Sequence, residues 1–144
     1  MNITDAIPHR PPFLLVDDIV AVDGHTIRTR RKTDPADPVF SGHFPGNPIL
    51  PGVLACESIF QSGAILIAHI LEGAMENCVT VLTRIANAKF KQIVRPGDTI
   101  DMEVHFKEKL GNACYMDGAA KVDGKTVVSI EFACALVALD TMGK

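Results

Sequence analysis

The sequence lacks an excess of basic residues. Its 14 lysines and arginines are outnumbered by 17 aspartates and glutamates, which gives a formal net charge of −3. A uniformly basic surface for nonspecific nucleic-acid binding is therefore excluded. Of the 144 residues, 47% are hydrophobic and 22% are charged, so the chain can bury a core of its own. We expect a single domain over residues 1–144.

Long apolar segments are missing as well. The first ten residues contain no apolar stretch of the kind that a secretory signal needs, so we expect the mature chain to begin there. The longest uncharged run without proline spans the fourteen residues 58–71, which is short for a membrane span and fits a buried helix. We therefore expect no membrane span and a cytoplasmic protein.

Cysteine and histidine motifs are also absent. No Cys-x-x-Cys pair occurs, and the histidines show no His-x-x-x-His spacing. We therefore expect no metal site, and free, mostly buried thiols as in a reducing compartment. An oxidised disulfide framework is the alternative. The four cysteines are Cys56, Cys78, Cys114 and Cys134.

Prolines are nearly missing from the last two thirds of the chain, where only Pro96 occurs, while the other eight lie within the first 51 residues. The prolines and glycines between residues 34 and 51 predict a stiff loop without regular secondary structure. A helix over 52–72 follows, with Pro51 at its start and Gly73 just past its end. Because most of its positions are apolar, we expect this helix to be buried.

The rest of the chain is typical of strands joined by tight turns. Asp-Gly pairs at 23–24 and 123–124 favour hairpins. In the region 99–109 apolar and polar residues alternate, which predicts a strand whose apolar face packs on the core. The predicted strands are 13–22, 25–33, 79–85, 88–94, 99–109, 113–122 and 126–137. An antiparallel sheet wrapped around one long central helix, an α+β hot-dog arrangement, covers all these apolar faces.

Two polar residues are hard to explain by packing alone. Glu57 lies in the apolar helix, where a carboxyl must pair, hydrogen-bond or hold its proton. His43 lies in the loop, in Ser-Gly-His-Phe-Pro-Gly. Together with the free N–H groups of Gly52 and Val53 at the helix start, they provide a base, an acid and oxyanion donors. Such a set suits proton abstraction beside a thioester carbonyl.

Structural explanations of these residues stay open at this point. A loop histidine is often only solvated, and a Glu one turn before a Gln is often a satisfied helix or dimer contact. The remaining histidines give weaker signals, and one of them, His9, lies between prolines. These are His9, His25, His69 and His105.

The segment 41–61, SGHFPGNPILPGVLACESIFQ, contains all of these residues. It closely resembles the active-site segment of the (3R)-hydroxyacyl-[acyl carrier protein] dehydratases of type II fatty acid synthesis, GHFPGxPxxPGVLxxEAxxQ. The similarity extends over about 7–137, through the stretches 7–10, 12–17, 88–91, 96–98 and 122–125.

The resemblance implies a role for each residue of the segment. His43 would remove the C2 proton, Glu57 would protonate the leaving C3 hydroxyl, and Gln61 would orient that carboxyl. The Gly52 amide would polarise the thioester carbonyl. No cofactor is implied beyond the phosphopantetheine arm of acyl carrier protein. In the family the fold is a hot dog, the site is shared by two subunits of a homodimer, and three dimers commonly form a hexamer.

Several positions depart from the family pattern. Phe60 replaces a smaller residue, Pro11 stands where an aromatic residue is common, and Arg84 and Ala86 replace Gly and Asp. If the strand over 79–95 lines the acyl tunnel, Phe60 and Arg84 would shorten or polarise it. We take three residues as acyl-tunnel candidates, namely Phe60, Arg84 and Phe90.

Recognition of an acidic carrier protein by a net-negative chain must be local. Two basic groups are candidates. The first equally fits a solvated strand face and consists of Arg28, Arg30, Arg31 and Lys32. The second lies nearer the expected tunnel and consists of Lys89, Lys91 and Arg95. Two other functions remain: a hot-dog thioesterase that uses Glu57 to activate water, and a non-catalytic assembly subunit.

Overall fold

A sheet of six antiparallel strands and one long helix dominate the part of the chain that the structure describes, residues 2–72 and 77–139. The coordinates are a computed structural model. In chain order the elements are α1 (Ile3–Ala6), β1 (Asp18–Asp23), β2 (Thr26–Lys32), α2 (Pro38–Gly42), α3 (Gly52–Ile70), β3 (Cys78–Phe90), β4 (Thr99–Leu110), β5 (Ala113–Val122) and β6 (Lys125–Ala138). The strand order β1-β2-β4-β5-β6-β3 confirms the expected α+β hot-dog arrangement.

Helix α3 packs against one face of the sheet and is buried from Ala55 to Ile67, apart from Glu57. By length and mean hydropathy it could cross a membrane, and 67% of its 18-residue window is buried inside the protein. The helix ends at Ile70, two residues earlier than expected, where the Leu71 amide donates to the Ile67 carbonyl at 2.8 Å. The expected cap, Gly73, lies outside the described residues.

The alternation in β4 correctly predicted its faces. Ile100, Met102 and Val104 are buried against the helix, and Phe106 packs beside them. The opposite face is charged, and there the Lys107 ammonium lies between carboxylates of neighbouring strands, 3.4 Å from Asp117 Oδ2 and 3.3 Å from Glu131 Oε1. We call this charged side of the sheet the outer face.

The expectation of an irregular loop over 34–51 was wrong in one part, because α2 forms inside it. Pro38 occupies the first helical turn, where its missing N–H costs nothing. The Val39 amide donates to Asp37 Oδ1 at 3.0 Å, which caps the helix. The preference of proline for the start of a helix, which predicts where α3 begins, therefore applies to this shorter helix as well.

Two strand boundaries also differ from expectation. The strands expected over 79–85 and 88–94 form one strand, β3, which ends at Phe90. Its pairing with β6 shifts register at two places, and Asn87, at the second of them, has a φ of 52°. The strand expected from residue 13 begins only at Asp18. The Leu15 amide donates to the Gln61 side chain instead of a neighbouring strand.

The cysteines follow expectation. All four are free, and Cys56, Cys114 and Cys134 are buried. Burial raises the pKa of the Cys134 thiol to about 12, with Cys114 and Glu57 adding to the shift. This thiol is therefore protonated and unreactive at neutral pH.

Glycine at position 118 lets α3 approach the sheet. A Cβ atom there would lie 2.5 Å from Ile59 Cγ2 and 3.2 Å from Val104 Cγ2. We expect Gly118→Ala to lower the free energy of unfolding by about 1–3 kcal/mol, because both neighbours are branched and stiff. Urea unfolding at fixed protein concentration measures the change.

The control for this substitution is Gly42→Ala. Position 42 has no heavy atom within 4 Å of an added Cβ, so we expect a change within about 0.5 kcal/mol. Equal stability of the Gly118→Ala variant and the parent protein would contradict the close packing of α3 on β5.

Candidate active site

His43 is held at the end of α2 by its own loop. Its Nδ1 lies 3.0 Å from the Ile49 carbonyl oxygen, and the Ile49 amide donates back to the His43 carbonyl at 2.9 Å. A carbonyl only accepts hydrogen bonds, so Nδ1 carries the proton and Nε2 presents a lone pair. The ring also stacks on Phe44, with centroids 3.9 Å apart. The loop therefore presents an oriented imidazole base.

Glu57 is held by Gln61, one helical turn further along α3. Gln61 Nε2 donates to Glu57 Oε2 at 3.0 Å and to the Phe13 carbonyl at 2.8 Å, while Gln61 Oε1 accepts from the Leu15 amide at 2.8 Å. We call these contacts the Gln61 clamp. Gln61 is only 1% exposed, so its hydrogen bonds fix the carboxyl firmly. The clamp confirms that Glu57 hydrogen-bonds within the fold.

A cleft of about 280 Å³ opens beside the Glu57 carboxyl. Phe60 contributes to its wall and packs on Phe132, with ring centroids 5.0 Å apart. The residues lining the cleft come from the N-terminal segment, α3, β3 and β6: His9, Phe13, Glu57, Phe60, Gln61, Ala64, Thr80, Val81, Leu82 and Cys134. Apolar walls around one carboxyl suit an acyl chain with a polar group near its end.

The start of α3 is open to a ligand. Pro51 precedes the helix and no side chain caps it; Gly52 is exposed, and the Val53 side chain is 70% exposed. The first amides of such a helix point outward and carry the positive end of its dipole. The Phe90 ring lies over Gly52, where an added Cβ would come within 2.8 Å of Phe90 Cδ1. Glycine is therefore needed under this ring.

Sequence reasoning missed His9. The structure brings His9 Nε2 to 3.9 Å from Glu57 Oε2, although 48 residues separate them. The place of His9 between prolines gives only a weak functional signal. The one available signal was its place in the stretch 7–10, which the resemblance already included.

The structure does not bring His43 and Glu57 together within the described residues of one chain, since His43 is absent from the lining of the Glu57 cleft.

Arg84 also lies away from the Glu57 cleft, because it lines an outer-face groove with Lys107 and Glu131. Its register explains this: Arg84 pairs with Ala133, whose neighbours Phe132 and Cys134 point inward.

The basic candidates fall into exposed and buried residues. The nearer group is exposed: Lys89, Lys91 and Arg95. In the first group Arg31 is buried and lies 3.7 Å from Asp37 Oδ2 through its Nη2 atom, so it is no part of a solvated face. Burial lowers the pKa of its guanidinium, while Asp37 and Asp17 oppose that shift.

Within residues 2–72 and 77–139, no three His, Cys, Asp or Glu side chains cluster closely enough to hold a metal ion. The polar groups that line the cleft include the His9 imidazole, the Glu57 carboxyl and the Gln61 carboxamide, together with the side chains of Thr80 and Cys134. They can accept, donate and orient protons.

Comparison with known proteins places these features in one family. The sequence model of the FabA-like domain matches residues 7–131. The chain is 39% identical over 132 residues to the 3-hydroxyacyl-[acyl-carrier-protein] dehydratase FabZ of Rickettsia bellii, covering 91% of this chain and 90% of that protein. It is 38% identical to the FabZ dehydratase of Pseudoalteromonas translucida, covering 93% and 90%.

Among solved structures, the dehydratase heterocomplex ApeI:P from Xenorhabdus doucetiae superposes with a TM-score of 0.79 at 15% identity, over 100% of this chain and 99% of that one. A hypothetical thioesterase protein with coenzyme A from Streptococcus pneumoniae superposes with a TM-score of 0.66 at 10% identity, covering 94% and 91%. These two likenesses show the fold. The family-model match and the close relatives show more: the chain belongs to the FabA-like domain family and, within it, to the 3-hydroxyacyl-[acyl-carrier-protein] dehydratases.

Proposed function

We propose that the protein dehydrates (3R)-3-hydroxyacyl thioesters on acyl carrier protein to trans-2-enoyl thioesters, in fatty acid or related lipid or polyketide biosynthesis. The observation that carries the proposal is the Gln61 clamp, which holds the Glu57 carboxyl at an apolar cleft. A hydro-lyase needs an acid there and a base elsewhere, and the loop supplies His43, whose Nδ1 is held by the Ile49 carbonyl so that Nε2 is left to act as the base. The relatives named as dehydratases support the same reaction.

The proposed reaction is a β-elimination. His43 Nε2 takes the C2 proton, and the electron pair of that C–H bond forms the C2=C3 double bond. The C3–O bond breaks with its electrons on oxygen, and Glu57 gives that oxygen the proton that makes it water. The Gly52 and Val53 amides polarise the thioester carbonyl. No electrons are gained or lost overall, so the reaction needs no redox cofactor, and the substrate arrives on the phosphopantetheine arm of its carrier.

We propose that the complete site forms between two copies of this single-domain chain. The absence of His43 from the lining of the Glu57 cleft supports a base that is supplied to each carboxyl by a second chain. The family similarity supports this arrangement, and three such dimers would form the hexamer. We also propose a cytoplasmic location, which the four free cysteines support.

The edge of the sheet at β3 suits such a dimer. Strand β3 is the last strand in the sheet order. Along it Val81, Leu82 and Ile85 are 37%, 38% and 53% exposed. A long, apolar edge strand is a ready template for pairing with a second copy. Pairing there also covers the cleft, because β3 provides part of its wall.

Carrier-protein docking is proposed at the end of the same strand. Lys89 and Lys91 flank Phe90, which is 57% exposed and lies over Gly52. With Arg95 they form a local basic patch for an acidic carrier, next to the helix start where the thioester must arrive. Phe60 and Phe90 then line the acyl path. Arg84 is left out, because it lies on the outer face.

Both proposed groups are essential in this reaction. We expect His43→Ala and Glu57→Gln each to lower kcat by roughly 100- to 10,000-fold, since each removes one partner of the proton transfers. The near-UV absorbance of the enoyl thioester measures the rate, and size-exclusion chromatography checks the assembly. His105→Ala, an outer-face variant, should keep its rate. Release of free thiol instead of enoyl product would indicate a thioesterase, and no turnover on any chain length a non-catalytic subunit.

A shared site allows complementation between the two inactive variants. We expect that unfolding and refolding them together restores about a quarter of the wild-type activity. Half of the randomly formed dimers contain one chain of each kind, and each of those dimers has one of its two sites intact. The control is each variant refolded alone, which stays inactive. If His43 and Glu57 of the same chain formed the site, every site in the mixture would carry a lesion and no activity would return.

A further inference from the structure

A second histidine stands beside the proposed acid. His9 Nε2 and Glu57 Oε2 are 3.9 Å apart and line the same cleft. This separation is too long for a direct hydrogen bond. It is short enough for one oxygen atom to bond both groups: at about 2.8 Å from each, the two contacts meet at about 90°.

The other ring nitrogen of His9 is a second unusual feature of this ring. Nδ1 is buried and has no hydrogen-bond partner among the described residues. A buried polar atom without a partner typically costs about 1–3 kcal/mol. Such an atom in a native protein calls for an explanation, and a catalytic role is one of them. Nδ1 lies toward the protein while Nε2 faces the cleft, and the tautomer with its proton on Nε2 presents a donor to the cleft.

The segment that carries His9 is held on both sides of it. Arg10 Nη1 donates to the carbonyls of Ile7 and His9 at 2.9 and 2.7 Å, and its Nη2 donates to the Thr4 carbonyl at 3.0 Å. The His9 ring stacks on Phe13 with centroids 6.4 Å apart, and the Gln61 clamp holds the Phe13 carbonyl. The ring is therefore pre-organised at the carboxyl before substrate arrives.

We infer that His9 Nε2 and Glu57 Oε2 together bind the oxygen that leaves C3. The inference rests on the proposed function and adds a residue to it. As the C3–O bond breaks, its electrons go to oxygen and Glu57 supplies the proton. His9 keeps its own proton and donates a hydrogen bond to the same oxygen, which departs as water. His9 thus lowers the barrier to leaving-group departure and takes no part in removing the C2 proton.

Comparison of two leaving groups tests this role. In His9→Phe both ring nitrogens are lost while an aromatic ring remains against Phe13. With the 3-hydroxyacyl thioester we expect kcat to fall roughly 10- to 100-fold and KM to change less than about 3-fold. With a 3-chloroacyl thioester, corrected for spontaneous elimination, we expect a fall below about 3-fold, because chloride leaves without a proton. His9→Gln, which can place an amide N–H near the position of Nε2, should recover most of the rate.

Matched controls separate the possible failures. His105→Phe makes the same change at another histidine–carboxylate pair, 2.9 Å from Glu103 on the outer face, and should keep both rates. His43→Ala should lose both rates, because both substrates need C2 proton removal. Equal losses of His9→Phe on the two substrates, or none on the hydroxy substrate, would overturn the inference about His9 alone. A wild-type protein that turns over neither substrate would overturn the proposed function.

Discussion

The hydrogen bonds of one buried carboxamide organise the site. Gln61 lies on the core side of α3, where its amide cannot reach water, so each polar atom needs a partner within the fold. It finds them in Glu57 and in the backbone of Phe13 and Leu15, almost fifty residues earlier in the chain. The same bonds therefore orient the acid and dock the N-terminal segment. Since that segment carries His9, the composition of the cleft depends on Gln61.

A second buried polar residue, Arg31, helps to hold the helix that precedes His43. The Arg31 guanidinium is buried and lies 3.7 Å from Asp37 Oδ2, and the Asp37 side chain also caps α2. That helix ends immediately before His43, so a charge inside the fold anchors the element that presents the base. A buried cation is tolerated only where acidic groups face it, and Asp17 and Asp37 do so here. The ion pair between Arg31 and Asp37 therefore adds to the constraint that the prolines place on this loop.

What sequence predicted and what it missed differ in the range of the interactions involved. The core helix, the hairpins and the faces of β4 follow from local patterns, because apolar periodicity and turn residues act over a few positions. The continuity of β3 across two register shifts depends on pairing with β6, and the burial of Arg31 depends on Asp37. The approach of His9 to Glu57 depends on a fold that joins distant segments. No spacing rule contains that information.

The close approach of Phe90 to Gly52 couples two positions of this chain. A methyl group at position 52 would collide with the ring, so no side chain can enter there while the ring keeps its place. A substitution at 52 requires either a displaced ring or a smaller residue at position 90. Because Phe90 is 57% exposed, displacement of its ring into solvent is one way to make that room. Redesign of the helix start must therefore treat the two positions together.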